Sequence, residues 1–180
     1  MNAIEALRAR FPEAAKDIKL NLQAVLQAGA PLNADQRWGV ALACALASRN
    51  AALSAAIAAD AAGQASPAAL EDARAAAVLM GMNNVYYRFR HLVGKASYAQ
   101  LAPKLRMNRL AQPAGSKLDF ELYSLAVSAI NACETCIQAH ERTLLAGGLG
   151  EEVVHEAVRI ASVVHAAAIA VELGEAAPTS

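Results

Sequence analysis

Apolar positions recur along this chain with a helical period, and Gly, Pro and Asn divide them into segments. Pro12 suits the first turn of a helix, and the segment it opens is predicted to run over 12–27, ended by Gly29. Asn33 is placed to cap a helix over 38–49, and an Ala-rich helix follows toward Asp60. Ser66 before Pro67 opens another helix, which Gly81 or Asn83 is expected to interrupt. Over 94–115 the periodicity weakens and Pro103 and Pro113 appear, so this stretch is predicted to connect two halves. Three more helices are predicted near 119–131, 133–146 and 151–173, before a polar tail containing Pro178. The first residues, with Ile4 and Leu7 set among Asn2, Glu5 and Arg8, alternate polar and apolar and contain no apolar signal core.

The fold class is therefore all-α, arranged as two related helical halves within a single domain spanning 1–180. The halves are about 1–95 and about 116–174, and only the second carries the thiol pair described below. A weak internal repeat supports the division: 35–41 (DQRWGVA) aligns with 120–126 (FELYSLA). In that register Ser48 falls opposite Cys133, Ala51 opposite Cys136 and Ala55 opposite His140, so the first half repeats the shape without the chemistry. Trp38 and Tyr123 occupy matching places and read as packing anchors.

Composition agrees with helices. Hydrophobic residues make up 56% of the 180 and aromatics only 4%, so the core is built mainly from Ala, Val, Leu and Ile, and alanine has the best helix propensity. Sixteen basic residues balance sixteen acidic ones with no basic patch, which argues against a nucleic-acid partner. The longest uncharged helical run is about a dozen residues, such as 160–171, against the ~20 that cross a bilayer. No membrane span is expected, and the protein is expected in the cytoplasm.

Three cysteines do not make a secreted disulfide framework, but two of them are three apart where a helix begins. In mid-helix, Cβ atoms at this spacing lie about 5–6 Å apart, beyond the roughly 3.5–4.5 Å of a disulfide. With Cys133 at the helix start the backbone can adjust and the bond can close. The free N–H groups and positive dipole end there also favour a thiolate. His140 follows Cys136 by four residues on the same face and can take or give a proton. Glu121, on the preceding helix, can orient His140 if packing brings it there. Two alternatives stay open: a pair of packed apolar cysteines, and a zinc site from Cys133, Cys136, His140 and Glu121. Cys44, among Leu42, Ala43, Ala45 and Leu46, reads as core; His91 reads as solvated surface beside Arg88, Arg90 and Lys95; His155 and His165 do not share a helix face.

The stretch 120–131 (FELYSLAVSAIN), followed by Cys133-Glu134-Thr135-Cys136 and Ala139-His140-Glu141, closely resembles the AhpD alkylhydroperoxidases. The likeness extends to 81–88 (GMNNVYYR) and 105–108 (LRMN), and so covers most of the chain. It implies the AhpD-like, carboxymuconolactone-decarboxylase-like helical fold, assembled as a homotrimer. It further implies an antioxidant peroxidase that reduces organic hydroperoxides and regenerates an oxidised peroxiredoxin, AhpC. No cofactor is bound: electrons come from a dihydrolipoyl group on a lipoylated carrier protein of the 2-oxoacid dehydrogenase E2 type. By position Cys133 and Cys136 become the redox-active disulfide, with Glu121 and His140 in the proton relay. Thr135 departs from the family pattern, which has a second histidine between the cysteines, and a hydroxyl cannot act as a base near neutral pH. Cys136, beside His140, is the expected attacker of peroxide. Cys133, the sulfur expected to be more exposed, would handle exchange with partner proteins. A dithiol–disulfide oxidoreductase without direct peroxidase activity, and a zinc-bearing or structural interaction module, are the competing readings.

Overall fold

The computed structural model describes residues 2–175, so the polar tail with Pro178 lies outside the described residues. Ten α-helices follow in order: α1 (Asn2–Arg8), α2 (Lys16–Leu26), α3 (Ala34–Ala47), α4 (Ala51–Ala61), α5 (Pro67–Val93), α6 (Ala96–Gln100), α7 (Asn108–Ala111), α8 (Lys117–Ile130), α9 (Glu134–Ala146) and α10 (Glu151–Glu175). Among the described residues there is no β-strand, and the fold is all-helical as expected.

Local chemistry accounts for most boundaries. Asn33 caps α3 with a reciprocal pair, its side chain accepting from the Gln36 amide while the Gln36 side chain accepts from the Asn33 amide. Ser66 Oγ accepts from the Ala69 amide at 3.2 Å, and Pro67 takes the first helical position of α5. Three expectations need correction. Pro12 precedes a short 3-10 turn, Glu13–Ala15, and α2 proper starts only at Lys16. Helix α1 was not anticipated from its alternating pattern; Asp60 on α4 caps it from outside, accepting from the amides of Ala3 and Ile4. Neither Gly81 nor Asn83 interrupts α5, which runs unbroken to Gly94, a left-handed cap with φ of 62°. A single glycine costs a helix about 1 kcal/mol, and burial of the stripe Leu70, Ala73, Ala76, Met80 and Asn84 outweighs it.

The core lies where α3 and α8 cross, flanked by α5 on one side and α10 on the other. The register that pairs Trp38 with Tyr123 lays α4 on residues 136–146, inside α9, so the two helical hairpins occupy corresponding stretches. Both aromatic rings are buried. Tyr123 donates its hydroxyl to the Asp35 carbonyl at 2.8 Å, and burial pushes its phenol far up from the ordinary value. Helix α10 has the length and composition to cross a membrane, more than its uncharged run suggested. In this fold it packs along α2, α3 and α8 as a core helix, with Glu156 turned inward toward Arg37 at 3.9 Å.

The close approach of α3 and α8 depends on Gly39, where a Cβ atom would lie 2.2–2.5 Å from the Tyr123 ring. Gly39→Ala is therefore expected to destabilise the protein by about 1–3 kcal/mol through overpacking. Urea unfolding measures this, and a midpoint equal to the parent's would refute the packing account.

Candidate active site

Cys133 and Cys136 sit where α8 ends and α9 begins. The backbone leaves α8 at Asn131, passes through Ala132 in the left-handed region with φ of 51°, and reaches Cys133 in a non-helical conformation. Cys133 is thus the N-cap of α9, and its carbonyl accepts from the amides of Cys136 and Ile137 at 3.0 and 2.9 Å. The predicted adjustment is the one observed: the two Cα atoms are 5.3 Å apart and the sulfurs are joined as a disulfide.

Helix α5 pins this corner from the side. Asn84 donates to Ser128 Oγ and accepts from the Asn131 amide group, each at 2.9 Å, and Arg88 donates to the Asn131 carbonyl. The Cys133 amide returns to the Ser128 carbonyl at 3.1 Å. None of Asn84, Arg88, Ser128 and Asn131 was singled out for a role from the sequence. The available signal was an asparagine pair in a helix whose neighbours are apolar.

The α8–α9 hairpin brings Glu121 and His140 together, with Glu121 Oε2 2.6 Å from His140 Nδ1 and both side chains nearly buried. A carboxylate only accepts, so Nδ1 carries a proton and the neutral ring keeps its lone pair on Nε2. Cys136 and His140 line the same cavity, of about 290 Å³. Of its lining residues, Met80, Asn83, Cys136 and His140 are buried, Tyr87 and Thr135 are half-buried and Ala139 is exposed. Thr135 Oγ1 lies 3.7 Å from Cys133 Sγ.

The connection over 94–115 also contributes to the cavity. Met107 and Leu110 form one wall of the cavity. That wall is moored by Asp72 on α5, a buried carboxylate that accepts from Arg109 at 2.9 Å and from the Ala114 and Gly115 amides at 2.8 and 2.7 Å.

The exposure expected of the two sulfurs is reversed. Cys133 is fully buried, enclosed by the turn, whereas Cys136 reaches the cavity. A thiol or peroxide entering this cavity therefore meets Cys136. With both sulfurs in the disulfide, neither is available as a thiolate, and no metal-holding group of three His, Cys, Asp or Glu residues occurs among the described residues. His91 is exposed, as expected, but pairs with Glu134 at 3.2 Å; His165, also exposed, lies 3.2 Å from Ser48 Oγ.

Comparison with known proteins bears on this geometry. The chain is 62% identical to the alkyl hydroperoxide reductase AhpD of Anaeromyxobacter dehalogenans (strain 2CP-C), over 100% of the chain and 97% of the relative. The chain belongs to the AhpD family. It is also 50% identical to the AhpD of Methylobacterium sp. (strain 4-46), over 97% of the chain and 98% of the relative. The AhpD of Rhodopseudomonas palustris (strain BisA53) is 47% identical over 96% and 95%. The carboxymuconolactone decarboxylase family matches residues 96–177, the part that contains the cavity wall, the AhpD thiol pair and the Glu121–His140 contact.

Cys44 stands apart from this chemistry as a buried free thiol, held far above its ordinary pKa by burial. The thiolate is the reactive form, so Cys44 stays protonated and inert at pH 8. Oxidised native protein is expected to take up no iodoacetamide at that pH, and one equivalent per chain once unfolded without reductant. Rapid labelling of the native protein, read by mass spectrometry, would contradict this.

Proposed function

We propose that this protein is an antioxidant alkyl hydroperoxide reductase working through the Cys133/Cys136 dithiol. The observation that carries the reading is a disulfide-forming pair of which Cys136 lines a mostly apolar cavity, one helical turn from a histidine held by Glu121. The names of the AhpD relatives point the same way.

In the reduced protein His140 Nε2 takes the Cys136 proton, and the thiolate attacks the terminal oxygen of R–O–O–H. The O–O bond breaks, the alkoxide takes that proton from His140, and Cys136 becomes a sulfenic acid. The Cys133 thiol then attacks the Cys136 sulfur, water leaves and the disulfide forms. One hydroperoxide and two thiols yield one alcohol, one water and one disulfide.

Because Cys136 is the sulfur at the cavity, exchange is assigned there too, and Cys133 becomes the leaving sulfur. A dihydrolipoyl thiolate on an E2-type carrier attacks Cys136, releasing Cys133 as a thiolate at the N-terminus of α9. The second lipoyl thiol then attacks the lipoyl sulfur of the mixed disulfide and restores the dithiol. The reduced pair in turn opens the disulfide of the peroxiredoxin AhpC. These partners belong to the cytoplasm, where we place the protein. Assembly as a homotrimer is supported by an exposed apolar stripe on α5, formed by Val78, Val85, Phe89 and Leu92. Light scattering should give three times the chain mass; a monomer at micromolar concentration would refute it.

Thr135 favours one second reading, a dithiol–disulfide oxidoreductase with negligible peroxidase activity, since the residue between the cysteines supplies no base. Stopped-flow measurement of both half-reactions separates the two. Under the peroxidase reading His140→Gln slows peroxide reduction by about 10²–10⁴-fold and slows exchange less, because exchange expels a thiolate that needs no proton. Equal losses would remove His140 from the peroxide step. Cys133→Ser should leave a trappable sulfenic acid at Cys136, and Cys136→Ser should form none. Labelling of Cys133 at the parent's rate would reverse the assignment.

A further inference from the structure

Two adjacent asparagines on α5 have opposite fates. Asn84 is committed to the protein at both ends of its amide, through Ser128 and Asn131. Asn83 is 5% exposed and its Oδ1 is buried with no hydrogen-bond partner among the described residues, yet it lines the cavity beside Cys136 and His140. A buried amide oxygen without a partner destabilises the fold, and an apolar residue of similar size would not carry that cost. The other buried side chains that line the cavity are the Met80 thioether, the Cys136 sulfur and the His140 ring, whose Nδ1 is already taken by Glu121.

The reacting end of a substrate must come to rest next to Cys136. Two classes of molecule react there under the function proposed above, and they differ in what they offer an amide. A dithiol presents S–H groups and sulfur, which hydrogen-bond weakly. A hydroperoxide presents an O–H donor and two oxygen acceptors. We propose that Asn83 is the residue that binds the peroxide group: its Nδ2, the amide atom without a partner that is not sealed off, donates to the oxygen bonded to carbon. That oxygen departs as the alkoxide when the Cys136 thiolate takes the terminal oxygen, so the Nδ2–H bond strengthens as charge develops there. The proton that completes the alcohol still comes from His140. Asn83 therefore contacts the substrate in one half-reaction and has no counterpart in the other.

The proposal rests on the hydroperoxide reductase reading, and the test keeps the two apart. Parent protein, Asn83→Leu and Asn83→Ala are reduced, then mixed with cumene hydroperoxide in stopped flow; separately, the oxidised proteins are mixed with free dihydrolipoamide. Both variants should lose about tenfold to a hundredfold in the peroxide step and stay within about twofold in the thiol step. Asn83→Leu should also melt about 2–4 °C higher than the parent, because it removes the unpartnered oxygen without leaving a hole. Equal losses in both half-reactions would mean that Asn83 only shapes the cavity, and unchanged peroxide rates would mean that it binds nothing there; either overturns the proposal alone. A parent protein that exchanges thiols but consumes no hydroperoxide overturns the functional reading, and this inference with it.

Discussion

At Ala132 the backbone adopts a left-handed conformation that costs an alanine roughly 1–2 kcal/mol, and its surroundings hold it there. The turn it makes is what lets α9 begin at Cys133 instead of continuing from α8. Without that break the two cysteines would lie one regular helical turn apart, too far for a bond. The restraint comes from α5, through Asn84, Ser128, Arg88 and Asn131, and so from an element distant in sequence. The same hairpin geometry carries Glu121 back onto His140. A local backbone strain, a disulfide and an oriented imidazole are thus consequences of one corner.

The packing beneath this corner is of a different kind. Alanine-rich helices can approach closely because little side chain stands between them, and Gly39 takes this to its limit against Tyr123. The resulting core of α3, α8 and α10 gives the corner a rigid base. Around it the polar groups are distributed with economy: Asp72 moors the cavity wall, Asn84 moors the turn, and Arg37 donates to the carbonyl of Val25 in the last turn of α2 and to those of Gly29 and Leu32 in the α2–α3 loop.

Much of this was legible before any coordinates. The cap residues Asn33 and Ser66, the spacing of Cys133 with Cys136, and the helical register of Cys136 with His140 are local features, and local physics determines them. Glu121 could be named but not placed, since only packing brings α8 onto α9. The continuity of α5 through Gly81 was misjudged because the helix is held by tertiary burial, which outweighs a single weak residue. The exposure of the two sulfurs was reversed for a related reason: a position at a helix start says nothing about whether the preceding turn folds over it. Met107 and Leu110 lay in a stretch without periodicity, where sequence has no means to show that a loop closes a cavity.

The division of the cavity between two structural origins carries a further meaning. Cys136 and His140 belong to the helical hairpin, while Met107 and Leu110 belong to a connection fastened by Asp72 and Arg109. That side of the cavity is therefore shaped by residues outside the α8–α9 hairpin.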